Sequence, residues 1–142
     1  MFRKFFNKEK KNNLNDKNIL IISLLIHAAK IDENYSEAEK KIIIKAIMEL
    51  NKVGFDVAAK LLKLAEKKEE ESNQIVEFTK EVKKYSMKFR LKVIEIIWKI
   101  VYSDGTSDSY ESNLIRRICG LLYVSDKDNG IIKMKMKNSL NK

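Results

Sequence analysis

Four carboxylates stand at matched places in this chain: Asp32 and Glu39 form one pair, and Asp104 and Glu111 a second pair 72 residues later. Each Asp follows a strongly apolar run, each Glu lies seven residues beyond its Asp, and Ile43 or Ile115 comes four residues after that. Both stretches therefore read apolar-x-x-Asp-x6-Glu-x3-Ile. Two such pairs brought together would offer hard oxygen ligands suited to Ca2+ or Mg2+. The spacing is not that of an EF-hand, whose twelfth loop residue is a glutamate, because Ile43 and Ile115 occupy that place here. The same residues also have a purely structural reading. Ser36-Glu37-Ala38-Glu39 is a capping box, and Asp108-Ser109-Tyr110-Glu111 is its Asp variant. Negative charge is favoured at such a helix start. Asp32 and Asp104 fit that account less well. Each follows a helix C-terminus, where the macrodipole disfavours an anion by up to about 1 kcal/mol. Either each closes an Asx-turn on amides two residues on, or a cation sits beside it.

The remaining reactive residues are few. One histidine, His27, excludes a two-histidine zinc motif. One cysteine, Cys119, excludes an internal disulfide and a cysteine-based zinc site. His27 lies in a buried run and reads as a partnered core or rim histidine. Cys119 reads as a small hydrophobe and Trp98 as core. The charge run Glu66 to Glu71, with Lys67 and Lys68 inside it, reads as a solvated helix end. No phosphate-binding G-x-x-x-x-G-K-[ST], dinucleotide G-x-G-x-x-G or nucleophile-elbow G-x-S-x-G is present.

Helices must hold the carboxylates. The chain has 142 residues, 44% apolar and 35% charged, with four glycines and no proline. A β fold needs turn residues every few positions, so this composition predicts one all-α domain, a compact bundle of about seven helices. Asn15 or Asp16 caps a first helix reaching about Lys30. Ser36 starts a second, for which Gly54 is the expected left-handed stop. Asp56 starts a third with Val57, Leu61, Leu62 and Leu64 inward. A charged break follows at Glu69–Ser72, where Ser72 caps a fourth helix bearing Ile75, Val76, Phe78 and Val82. Ser86 caps a fifth, Asp108 starts a sixth ending near Leu122, and Ser125 starts a short seventh weakened by Gly130. The first and fifth are apolar nearly all round, which predicts that they lie in the middle of the bundle. The matched Asp-loop-Glu punctuation predicts an internal pseudo-two-fold repeat of two helix–loop–helix units. The expected organisation is a basic segment over 1–14, a helical domain over 15–137 and a tail over 138–142.

The net charge of +9 suggests an anionic partner. Its distribution argues against specific nucleic-acid binding. Residues 1–17 carry six basic residues against Glu9 and Asp16, and residues 126–142 carry five lysines against Asp126 and Asp128. The surplus is thus mainly on the ends, and no recognition motif accompanies it. Phe2, Phe5 and Phe6 among basic residues either fray as a terminus or touch an anionic membrane surface. The longest apolar run, Ile19 to Ala29, is too short to span a bilayer, so the expected location is cytoplasmic, at most peripheral to the inner membrane.

Val101-Tyr102-Ser103-Asp104-Gly105, followed by Glu111-Ser112-Asn113-Leu114-Ile115, resembles the aDG-x-x-x-x-E-x-x-x-I signature of TerB-like proteins. Leu121-Leu122-Tyr123-Val124-Ser125-Asp126 is similar to that family's LG-[IV]-s-[DP] exit, without the glycine common there. Ala28-Ala29-Lys30-Ile31-Asp32-Glu33 through Glu39 resembles the first copy, with Glu33 where glycine is usual. The likeness spans roughly residues 18–137. It implies a bacterial all-helical module tied to tellurite-resistance and stress operons, a domain that also occurs N-terminally in the membrane-anchored co-chaperone DjlA. A protein partner is implied, and no enzymatic activity. Divalent metal binding by the signature's acidic residues is also implied, which here are Asp32, Glu39, Asp104 and Glu111. A rival reading is a metal-dependent hydrolase on the same carboxylates, which needs an open metal position in a cleft. The other is a purely structural domain whose carboxylates only cap helices.

Overall fold

From Ile19 to Ala29 the only polar side chains are Ser23 and His27, and neither proline nor glycine interrupts the run. It coils into α1 (residues 17–29), in which every residue from Ile21 to Ile26 is buried. The Ser23 hydroxyl is satisfied inside this apolar setting, 2.6 Å from the Ile19 carbonyl and 3.3 Å from that of Ala65. The computed structural model describes residues 17–32, 35–72, 74–104 and 109–140. A 3-10 turn, Lys30–Asp32, follows α1. Then come α2 (Glu37–Asn51), α3 (Phe55–Glu71), α4 (Ile75–Val82) and α5 (Met87–Val101). A second 3-10 turn, Tyr102–Asp104, leads to α6 (Ser109–Leu121) and α7 (Asp126–Leu140). The described residues form seven α-helices and no strand.

The second apolar run, Val93 to Val101, buries seven side chains of α5. This helix packs against α2, α6 and α7, and α2 also packs against α3. Burying one Ile or Leu is worth about 1.5–3 kcal/mol. The two all-round apolar helices therefore form the centre, and the one-sided helices cover them. Hydroxyl caps mark three starts as expected: Ser36 on the amide of Glu39, Ser86 on that of Phe89 and Ser125 on that of Asp128.

Several expectations fail, each for a local reason. Ser72 does not cap α4. It ends α3, and its hydroxyl reaches across to Glu77 Oε2 at 2.7 Å, while Gln74 stands at the start of α4. The break comes later than expected, because α3 continues to Glu71 and ends only at Ser72. Its buried stripe is Ala58, Leu61, Leu62, Ala65 and Glu69, a helical spacing that turns Val57 and Leu64 outward. Val76 on α4 is likewise exposed. The seventh helix is not short; it matches α2 and α5 in length, and Ile131 and Met134 on it face water. The expected caps Asn15, Asp16 and Asp108 lie outside the described residues.

Gly54 is not the left-handed stop of α2. Lys52 takes that conformation, at φ 53°, and Gly54 instead precedes α3 with φ −79°. The α6 exit repeats the device with Tyr123 at φ 56°. In both, the next residue is a valine whose N–H closes the helix end: Val53 onto Met48 at 3.3 Å and Val124 onto Cys119 at 2.8 Å. Tyr123 thus occupies the place where the resemblance leads one to expect glycine, and the backbone shows why glycine suits it. Lys83 compensates there, its Nζ lying 4.3 Å from the Tyr123 ring centre and donating to the hydroxyl at 3.0 Å. Lys52 is exposed. Replacing Lys52 with glycine should raise the unfolding free energy by about 0.5–1 kcal/mol, the relief of left-handed strain less glycine's extra freedom in the unfolded chain. Urea denaturation with an unchanged slope checks this. A loss of stability would show that the lysine carries a compensating contact.

Candidate functional site

The two acidic signatures acquire the same local structure. Each buried helix, α1 or α5, leaves its C-terminus through a three-residue 3-10 turn whose last residue is the Asp, Asp32 or Asp104. Each following helix carries its Glu as the third residue, Glu39 in α2 and Glu111 in α6. The Lys30–Asp32 turn packs against α6, so the first acidic turn lies on the helix that bears Glu111. The side chains of Asp32, Asp104 and Glu111 fall outside what the structure describes. Among the described residues no three His, Cys, Asp or Glu side chains group as metal ligands.

Glu39 is only 2% exposed. Its Oε1 accepts the Ser36 N–H at 2.9 Å while the Ser36 hydroxyl accepts the Glu39 N–H at 3.2 Å. This is the reciprocal capping box that the sequence spells. Tyr35 stands beside it with an enclosed hydroxyl that makes no hydrogen bond of good geometry among the described residues, although Glu66 is close enough to act on it. Burial, reinforced by the nearby carboxylates of Glu66, Glu39 and Glu37, holds this phenol well above the usual range. Lys30 and Lys40 offset that negative field, with their Nζ atoms 5.7 and 4.9 Å from the Tyr35 ring centre. Glu66 of α3 therefore contributes to the surroundings of the first turn, which its place in a charge run did not reveal.

A second polar cluster was missed. Glu69 is 4% exposed, although its sequence context reads as solvated. Its Oε2 receives Lys30 Nζ at 2.8 Å, and its Oε1 lies 3.3 Å from His27 Nδ1. His27 is thus the partnered rim histidine expected, bound to a carboxylate rather than to a nucleophile. The signal was available: Glu69 follows Leu62 by seven residues and Ala65 by four, on the core-facing stripe. The pair clamps the last turn of α3 to the beginning of the Asp32 turn. Cys119 is buried, and its thiol is pushed up to about 12 by burial and the charge of Asp126, which suits an inert core residue. The expected membrane contact of the first segment falls on residues 1–16, outside the described residues. No helix among those described is long and apolar enough to cross a membrane.

A family model described as tellurite resistance protein TerB matches residues 18–134. No curated protein and no solved structure matches the chain.

Proposed function

Because the chain belongs to the tellurite resistance protein TerB family, we propose that it is a non-enzymatic helical module that binds a partner protein. The setting we propose is a cytoplasmic tellurite-resistance or envelope-stress response, with the basic N-terminal segment meeting an anionic membrane surface. We further propose that Asp32, Glu39, Asp104 and Glu111 hold a divalent cation, Ca2+ or Mg2+.

The observation that carries the metal reading is the pair of matched turns. Each Asp is placed in the turn that follows the C-terminus of a buried helix, the negative pole of its macrodipole, and the arrangement occurs twice. A cation removes that conflict, and the packing of the Lys30–Asp32 turn on α6 favours convergence of the two signatures. All four donors are carboxylates, the ligands that Ca2+ and Mg2+ prefer. A carboxylate offers about four lone-pair sites, so capping and ligation by one Glu are chemically compatible. The capping box at Glu39 favours the competing reading, in which the acids serve only the helix ends.

Thermal unfolding in chelator and in added metal separates the two. A cation that binds only the native state adds about 2.7 kcal/mol at a hundredfold excess over its Kd. The expected result is a rise in Tm with Ca2+ or Mg2+ that Asp32→Asn with Asp104→Asn abolishes. The double variant should lose little in chelator, since Asn keeps an Asx-turn. A Tm that stays flat across millimolar Ca2+, Mg2+, Mn2+ and Zn2+ would leave the carboxylates as caps.

A further inference from the structure

The contacts of α7 fix which of its sides is inward. Asn129 accepts the Trp98 indole N–H, Lys133 Nζ lies 5.1 Å from the Trp98 ring centre, and Met136 is buried. These three stand four and three residues apart, on one side of the helix. Lys127, Ile131, Met134, Lys135 and Asn138 are each two positions from one of them, about 200° round the helix. They form the outer side of α7, and all five are exposed. A helix packed on a core ordinarily turns polar residues this way. Here Ile131 and Met134, one turn apart, remain 58% and 54% exposed.

Lysines border the apolar pair. Lys127 precedes Ile131 by four residues, Lys135 follows it by four, and Lys137 follows Met134 by three, so each adjoins the pair on the helix surface. Lys135 reaches Glu95 only at 4.0 Å, and Lys127 and Lys137 make no ion pair among the described residues. Both acids of α7 lie in its first turn; Asp128 stands three residues before Ile131, and no acid follows it. On the α5 flank, an open hollow of about 520 Å3 is walled by Phe89, Leu91 and Ile132 and by Lys88, Lys92 and Glu95 themselves. Glu95 meets Lys92 at 3.8 Å as well as Lys135, so Lys135 joins the outer side of α7 to this hollow.

The size and charge of the face select its occupant. Two apolar side chains on one helix fall far short of the about 800 Å2 per partner that a stable protein interface covers. A second copy of the chain would set lysines against lysines. A bilayer containing anionic lipid suits both features, since it takes apolar side chains at shallow depth and attracts the lysines around them. We infer that α7 lies with this face on an anionic lipid bilayer. Ile131 and Met134 enter the boundary between headgroups and acyl chains, and Lys127, Lys135 and Lys137 meet lipid phosphates. This surface is separate from the N-terminal segment, and the test below distinguishes the two.

Co-sedimentation of the full chain compares vesicles of equimolar phosphatidylcholine and phosphatidylglycerol with vesicles of phosphatidylcholine alone. Binding to the mixed vesicles should be at least about tenfold tighter and should weaken with salt. Ile131→Gln with Met134→Gln keeps good helix formers and every charge, and should weaken binding at least about tenfold with Tm little changed. Phe2→Gln with Phe5→Gln and Phe6→Gln removes the N-terminal contact alone, and the effect of the α7 substitutions should persist in that background. Met134→Trp places an indole on the face; its emission should shift to the blue on mixed vesicles and be quenched by brominated lipid, while Trp98 stays buried. This single reporter decides even if the double variant misfolds. No binding to mixed vesicles, equal binding to both compositions, unaltered binding of a folded Ile131→Gln, Met134→Gln protein, or an unshifted Met134→Trp emission would overturn the proposal. Loss confined to the phenylalanine variant would leave the N-terminal contact standing and overturn this one. Self-association that the α7 substitutions abolish would also overturn it, by making a second copy of the chain the occupant.

Discussion

Replacing Trp98 with alanine should lower the unfolding free energy by about 3–5 kcal/mol, a large part of the roughly 5–15 kcal/mol available to a domain of this kind. Trp98 is 1% exposed. Its indole N–H donates to Asn129 Oδ1 at 2.8 Å, its ring stacks on Tyr102 with centres 5.5 Å apart, and Lys133 Nζ lies 5.1 Å above it. One α5 side chain therefore fastens both α7 and the turn that ends on Asp104. α7 otherwise lies along α5 and α6, with Met136 buried and Ile132 partly so, while Ile131 and Met134 face water. Amide exchange in the Trp98→Ala protein should accordingly speed up in α7 well before α1. Trp98→Phe keeps most of the apolar contact and removes the donor, so it should cost about 1–2 kcal/mol, the order of one lost hydrogen bond plus a small cavity. Urea denaturation gives both values. A loss under about 1 kcal/mol for the alanine variant would mean that α7 is not fastened through Trp98.

Replacing Glu69 with alanine should cost about 3 kcal/mol. Removing one member of a buried ion pair generally costs about 3–5 kcal/mol, because the other charge is left without compensation. The lower end applies here, since Lys30 and His27 keep 29% and 21% of their side-chain surface and can turn toward water. Glu69→Gln retains the shape and one acceptor and should lose about half as much. A double-mutant cycle with Lys30→Ala isolates the pair, and a coupling above about 1 kcal/mol is expected. Zero coupling would mean that the ion pair contributes nothing and that Glu69 matters only through packing. Lys30 opens the turn that ends on Asp32, so this variant should also weaken any response of Tm to divalent ions.

Three helix starts were legible because they are written in adjacent residues. Ser36, Ser86 and Ser125 cap the amides three positions on, and such bonds need no distant partner. The central place of α1 and α5 was legible too, since a helix apolar on every side has nowhere else to go. The TerB resemblance rested on the same kind of local punctuation, an Asp after a buried helix and a Glu in the next helix's first turn.

Tertiary packing decided the rest. Apolar residues cover more than one face of α3, and the small side chains of Ala58 and Ala65, not the larger Val57 and Leu64, went to the core. That choice fixed the rotation of the helix and carried Glu69 inside with it, where the Lys30 ammonium pairs with it and His27 Nδ1 lies 3.3 Å away. Lys52, not Gly54, took the left-handed turn because the end of α2 needed closing one residue after Asn51, whatever side chain stood there. A capping bond spans three residues, so sequence alone could spell it at Ser36, Ser86 and Ser125, whereas the Ser72 hydroxyl turned to Glu77 instead. The facing of a helix and the burial of a charge depend on contacts tens of residues apart, which only the folded chain brings together.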